Sequence, residues 1–66
     1  MEKEASLSTY FEFEGLPVVV RRGNLPVMTN RRGRKVILYD AEKFYREAHV
    51  ISGARYIAMV SKVTSR

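Results

Sequence analysis

Between Thr9 and Val20 the chain has the sequence TYFEFEGLPVVV. In its first half, Phe11 and Phe13 alternate with polar or charged side chains, and this period of two predicts a β-strand with one apolar face. Gly15-Leu16-Pro17 interrupts the pattern and predicts a bend, a bulge or an edge position, because proline cannot donate to a strand ladder. Three consecutive valines then predict a second extended segment. We therefore expect a β-sheet to form the base of the fold.

Downstream of this stretch, the sequence predicts further strands separated by turns. Gly23-Asn24 predicts a turn, since both residue types tolerate positive φ. Leu25–Thr29 is a short strand candidate that its proline places toward an edge. Asn30–Arg34 predicts a hairpin loop with glycine at a position that such loops favour. Val36–Tyr39 is apolar on both faces and predicts a central strand.

The segment after Tyr39 carries the clearest helix signal. Asp40 can cap the free amides of a first helical turn. Apolar side chains follow at helical spacing, at Ala41, Phe44, Tyr45 and Ala48. Gly53 predicts the end of the helix, and Arg55–Val60, apolar on both sides, predicts a last strand.

These segments predict the α+β class. We expect a small, mostly antiparallel sheet of three to five strands with one helix packed on one face, in β-β-β-α-β order. A chain of 66 residues allows one domain. Residues 1–8 are expected to form a flexible acidic arm, residues 9–63 the single α+β domain, and residues 64–66 a frayed C-terminus.

The composition limits the classes of protein to consider. The chain contains no cysteine, so disulfides cannot stabilise the core and thiolates cannot hold zinc. Its acidic start is not followed by an apolar run, unlike a secretory signal. The longest apolar runs are far shorter than the roughly 20 residues of a membrane helix. We expect a cytoplasmic protein that does not bind membranes.

Positive charge is concentrated in the middle of the chain. The formal net charge is +5, yet the first 14 residues hold four glutamates against one lysine. Residues 21–35 hold six basic side chains and no acidic one: Arg21, Arg22, Arg31, Arg32, Arg34 and Lys35. The guanidinium group of arginine suits phosphate, because its planar fork donates two parallel hydrogen bonds.

This basic stretch predicts a binding surface for nucleic acid or for an acidic protein. The alternative interpretation is that turns of a basic protein carry charge for solubility. The candidate contact residues are Arg21, Arg22, Asn24, Arg31, Arg32, Arg34 and Lys35. In a simple meander the two turns would lie at opposite ends of a strand, ~17 Å apart. That spacing favours an extended backbone or a broad acidic surface over a small anionic ligand.

Part of the chain resembles known DNA-binding proteins. Arg22-Gly23-Asn24-Leu25-Pro26, Gly33-Arg34-Lys35 and Tyr39–Phe44 resemble the wing and following helix of excisionase-like and MerR-like winged helix-turn-helix proteins. The resemblance implies a basic hairpin that touches the DNA backbone. In those families two helices precede the wing, whereas Tyr10–Val20 predicts strand, so we assign the chain to neither family.

Aromatic side chains on the first strand are candidates for stacking on bases. Tyr10, Phe11 and Phe13 alternate in a way similar to the sheet platforms of RNA-binding domains. No glycine-flanked aromatic motif of that kind is present. We expect Phe11 and Phe13 to belong to the core, which leaves Tyr10, on the side of the glutamates, as the possible stacking residue.

No pattern in the chain predicts catalysis. His49 is the only histidine and has no cysteine beside it for a metal site. No glycine-rich phosphate loop precedes a helix, and no nucleophile is paired with a base. We expect no enzymatic activity, no metal, no cofactor and no small-molecule substrate.

Two functions from different classes remain open. The first is a nucleic-acid-binding accessory or regulatory protein, with DNA and RNA both possible. The second is a protein-protein interaction module, such as a small subunit, adaptor or inhibitor, because one helix would leave an apolar face of the sheet uncovered. A homodimer formed through the sheet fits either function, and we expect one.

Overall fold

The computed structural model of the chain describes residues 8–65. They form β1 (Thr9–Phe13), β2 (Leu16–Val20), β3 (Val27–Thr29), β4 (Lys35–Ile37), α1 (Ala41–Glu47), β5 (His49–Ile51) and α2 (Gly53–Thr64). The strands form one sheet in the order β4-β3-β2-β1-β5, and every neighbouring pair is antiparallel. The predicted α+β class and antiparallel sheet are confirmed. The predicted order lacked one strand and one helix.

The predicted terminal segments fall largely outside this range. The arm expected at residues 1–8 lies, apart from Ser8, outside the described residues, and so does Arg66. Helix α2 continues to Thr64, and the amide of Ser65 donates to the carbonyl of Ser61 at 2.9 Å.

The interruption predicted at residues 15–17 is a tight hairpin turn. Glu14 and Gly15 both have positive φ, 55° and 79°, as a two-residue type I′ turn requires. The turn pairs Phe13 with Leu16 and Phe11 with Val18 across β1 and β2. Pro17 lies inside β2, opposite Glu12. The stretch from residue 9 to residue 20 therefore contains two full strands.

The core lies on one face of the sheet, beneath α1. Phe44 is fully buried and meets the rings of Phe11 and Phe13 edge-on, with centroids 5.0 and 5.4 Å apart. Val18, also fully buried, completes this cluster with Phe13. The expectation that Phe11 and Phe13 belong to the core is confirmed.

Helix α1 begins as predicted and ends earlier. The carboxylate of Asp40 accepts a hydrogen bond from the Lys43 amide at 3.2 Å, which caps the first turn. The helix ends at Glu47, and His49–Ile51 extends along β1 as an edge strand. The β-branched pair Val50-Ile51 favours this strand over continued helix. Gly53 does not end α1 as predicted, and His49 lies in β5 instead of a last helical turn.

The last strand predicted at residues 55–60 is wrong, because these residues belong to α2. The Ser52 hydroxyl accepts from the Arg55 amide at 3.1 Å and caps the helix. The half-buried apolar side chains of α2 follow helical spacing, at Tyr56, Met59, Val60 and Val63. Ile57 and Ala58, which are exposed, lie between them. They make residues 56–60 continuously apolar, and this run was therefore interpreted as a strand with two apolar faces.

The two helices cover opposite faces of the sheet. Phe11 and Phe13 contact α1, while Tyr10 stacks on Tyr56 of α2. Alternate side chains of one strand point to opposite faces, so α2 covers the face that a single helix would have left bare. Its contacts are with β1 and β2, which leaves the β3–β4 half of that face open.

The predicted edge and central positions of two strands in the sheet are reversed. The segment containing Pro26, expected at an edge, supplies the internal strand β3, and Pro26 lies just before it. The segment Val36–Tyr39, expected in the centre, supplies the edge strand β4, whose three residues are all exposed. Beyond the three residue pairs that join β3 and β4, the Leu38 amide donates to the Pro26 carbonyl at 2.9 Å.

Replacing Glu14 with asparagine should stabilise the protein. A left-handed conformation costs an ordinary residue about 1 kcal/mol, and asparagine adopts it more readily. We expect Glu14→Asn to raise the free energy of unfolding by about 0.5–1 kcal/mol, measured by urea denaturation.

Glu14→Gln is the matched control, because it removes the charge but not the backbone strain. Glu14 also lies 3.9 Å from Lys43 in an exposed salt bridge, which contributes little. The turn geometry is contradicted if Glu14→Asn is no more stable than Glu14→Gln.

Candidate functional site

The first arginine turn, residues 21–24, is a tight reverse turn. The Asn24 amide donates to the Arg21 carbonyl at 2.9 Å, and Gly23 has φ of 80°. Glycine at the third position with positive φ is typical of a type II turn. Arg21 and Arg22 are both exposed, so this turn presents two guanidinium groups to solvent.

The second arginine turn, residues 30–34, is a hairpin loop held by the Asn30 side chain. Its Oδ1 accepts from the amides of Arg32 and Arg34 at 2.9 and 3.0 Å. The Gly33 amide donates to the Asn30 carbonyl at 2.9 Å, and Gly33 takes φ of 80°. These bonds order the backbone, while the side chains of Arg31, Arg32 and Arg34 are exposed.

The two arginine turns lie at opposite ends of β3. The first turn joins β2 to β3, and the second joins β3 to the antiparallel β4. Helix α2 runs in the same direction over the neighbouring strands β1 and β2. A Cβ added at Gly53, where α2 begins, would lie 3.5 Å from the Tyr10 ring, and one added at Gly33 would lie 3.1 Å from Thr64 Cγ2. The C-terminal end of α2 therefore lies close to the second turn.

A groove occupies the part of the sheet that α2 leaves open. Its floor is a row of directly paired residues crossing four strands: Tyr10, Val19, Val27 and Ile37. The groove has a volume of about 650 Å³. The register places these side chains on one face, and they form an apolar floor across the strands.

The rim of this groove is basic and aromatic. Arg21 and Asn24 of the first arginine turn line it, and so does Lys35 at the start of β4. Tyr39, which is 77% exposed, stands at the rim. No aspartate or glutamate of residues 8–65 lines the groove. A ligand here would meet an apolar floor between positive charges.

A tyrosine pair closes the groove at the β1 end of this row. Tyr10 and Tyr56 stack with ring centroids 4.5 Å apart and planes inclined by 25°. One face of the Tyr10 ring is therefore already covered by a protein ring. Tyr39 enters no such aromatic pair within residues 8–65, so its ring is the more accessible surface for stacking.

The structure brings together only part of the predicted contact set. Four of those residues line the groove: Tyr10, Arg21, Asn24 and Lys35. Arg31 lines a second groove of about 610 Å³ beside α2, together with Arg55 and Lys62. Arg22, Arg32 and Arg34 are exposed and line neither groove.

Sequence reasoning missed Tyr39 and Tyr56. Lys35, Ile37 and Tyr39 are spaced by two, so the strand pattern could have placed Tyr39 on the groove side. Tyr56 was out of reach, because its position depends on α2, which the sequence analysis predicted as a strand.

The arginine turns are not neutralised by the carboxylates described. Arg55 Nη2 lies 3.4 Å from Glu12 Oε1, and Lys43 Nζ lies 3.9 Å from Glu14 Oε2. Neither of these salt bridges within residues 8–65 involves an arginine turn. Within residues 8–65, the charge of both turns is therefore not paired with a carboxylate.

Residues 8–65 hold no group of three or more histidine or carboxylate side chains placed to bind a metal ion. In the same range, neither helix is long and apolar enough to cross a membrane. The chain matches no protein-family model, no curated protein and no solved structure in the comparisons made.

Alanine at Gly33 should destabilise the protein more than alanine at Gly23. Both glycines have φ of 80°, so both variants share a backbone cost of about 1 kcal/mol. Only at Gly33 would the new Cβ meet another atom, Thr64 Cγ2 at 3.1 Å, since nothing lies within 4 Å at Gly23. Urea denaturation of the two variants measures the difference.

The Thr64→Ser background tests whether that contact is the cause. Serine lacks the Cγ2 methyl but keeps a hydroxyl like the one that donates to the Val60 carbonyl at 2.8 Å. The extra cost at Gly33 should disappear in this background. Equal costs at both glycines in the wild-type background would contradict the close approach of Thr64 to the second arginine turn.

Proposed function

We propose that this chain is a small, basic, non-catalytic nucleic-acid-binding protein with an accessory or regulatory role. The observation that carries the proposal is the pair of ordered arginine turns at opposite ends of β3. Their guanidinium groups are exposed and make no salt bridge with a carboxylate of residues 8–65. Two separated clusters of this kind fit a polymer of phosphates better than one compact anion.

The backbone of the turns adds to this argument. Each turn holds a glycine at positive φ and is closed by short hydrogen bonds. The guanidinium groups therefore extend from a fixed base, which lowers the conformational entropy lost when they contact phosphate.

Charge reversal in either turn should weaken binding, and the two effects should be separable. Arg21→Glu with Arg22→Glu alters the first turn, and Arg31→Glu with Arg32→Glu alters the second. We expect each double variant to bind DNA or RNA more weakly in mobility shifts. Each should also reduce the slope of log affinity against log salt by about one per lost phosphate contact.

The matched control reverses two charges on α1. Lys43→Glu with Arg46→Glu changes the net charge by the same amount, at exposed positions outside both turns. Binding by this variant should remain much stronger than by the turn variants. Equal loss in all three would show that net charge alone attracts the polymer, and no binding of wild type at low salt would refute the proposal.

A second candidate function is docking on an acidic protein or on another copy of the chain. Its support is exposed apolar surface outside the core: Val50 of the edge strand β5 is 70% exposed, and Ile57 of α2 is 67% exposed. Strand edges can pair with a partner strand. Analytical ultracentrifugation tests self-association. We expect a homodimer, and a monomer at all concentrations would count against docking on another copy of the chain.

A further inference from the structure

We propose that the groove between α2 and the first arginine turn binds single-stranded nucleic acid, with bases against its floor and phosphates at its basic rim. The inference rests on the proposed function and makes it specific. The ligand is specified as single-stranded instead of double-stranded, and Tyr39, which lies outside the basic stretch, is added as a contact residue.

The shape of the groove favours a strand that crosses the sheet. Its floor runs from Ile37 on β4 to Tyr10 on β1, perpendicular to the strands. Adjacent strands are ~4.8 Å apart, so the three intervals span roughly 14 Å. A four-stranded floor of this width suits about two or three bases laid with their faces on the sheet.

The chemistry of the floor favours exposed bases. Val19, Val27 and Ile37 offer apolar side chains, which gain from covering a base face but gain nothing from phosphate. In a duplex the base faces are already stacked on one another, and only their edges and the backbone are accessible. Single strands present those faces, and tyrosine rings stack on them without regard to sequence.

The charges on the rim define where the backbone would lie. Arg21 is the first residue of the first arginine turn, directly after β2, and Lys35 begins β4. The two charges therefore flank the apolar row, with Asn24 as a further hydrogen-bonding group. No carboxylate of residues 8–65 lines the groove, so these residues present no like charge to a phosphate backbone.

Tyr39 is the side chain that distinguishes this proposal from simple charge attraction. It is 77% exposed at the rim, so it contributes little to the core. Tyr10 and Tyr56 already cover each other. A base that enters the groove can stack on Tyr39 and continue toward this pair.

The experiment uses the full chain and fluorescence anisotropy with labelled single strands of DNA and of RNA, and with a DNA duplex of the same length. We expect Tyr39→Ala to weaken single-strand binding by about 5-fold to 100-fold, the usual effect of losing one stacked base. Tyr39→Phe, which keeps the ring, should bind like wild type. Duplex binding should be insensitive to both substitutions.

Tyr45→Ala is the matched control. Tyr45 is also an exposed tyrosine, at 54%, but its ring meets Phe11 and Phe44 on the α1 face. Its removal should leave single-strand affinity unchanged, with folding of each variant verified by circular dichroism.

The outcomes separate this inference from the proposed function. If single strands bind but Tyr39→Ala and Tyr45→Ala behave alike, or if the duplex loses as much affinity with Tyr39→Ala, the groove is not the single-strand site and the arginine turns alone account for binding. If no polymer binds at low salt, both proposals fail. If a polyglutamate peptide displaces the single strand and binds with equal dependence on Tyr39, the groove is a site for acidic peptides and this inference is overturned.

Discussion

The two-residue turn at Glu14-Gly15 determines which side chains of β1 and β2 face each other. With that register, Phe11 and Phe13 meet Val18 and Leu16 under α1, while Tyr10 and Val19 share the opposite face. A slip of one residue would exchange the faces of a strand, so it would bring polar side chains against Phe44 and phenylalanines against α2. Both the core and the groove therefore depend on a backbone conformation that glutamate adopts at some cost.

The two faces of the sheet differ in how far they are covered as a result. The α1 face contains the fully buried Phe44 and Val18, which a chain of 66 residues without disulfides needs for stability. The other face is only half covered, because α2 contacts β1 and β2. The β3–β4 half is thus free to carry binding residues, and the basic stretch of the sequence supplies charges to its rim.

Local signals in the sequence were sufficient for much of this structure. The alternation of Phe11 and Phe13, the Asp40 cap and the glycines of the arginine turns each act within a few residues, and each was predicted. The final helix was missed because Ile57 and Ala58 hide the helical period. The groove was missed because its position depends on α2. It lies beside the part of the sheet that α2 covers, and packing between segments distant in sequence determines which part that is. Sequence alone placed Arg21 and Lys35 in one basic stretch but could not show that they flank one apolar row.

The central claim is that one face of the sheet binds nucleic acid while the other only stabilises the fold. Neighbouring valines test it within a single spectrum, because Val18 lies fully buried on the α1 face and Val19 lines the groove. Methyl chemical shifts should be recorded while a short single-stranded oligonucleotide is added to the labelled full chain. The account predicts shifts at Val19, Val27 and Ile37, with Val18 and Leu16 unchanged. Shifts of equal size on both faces, or shifts confined to the α1 face, would contradict it.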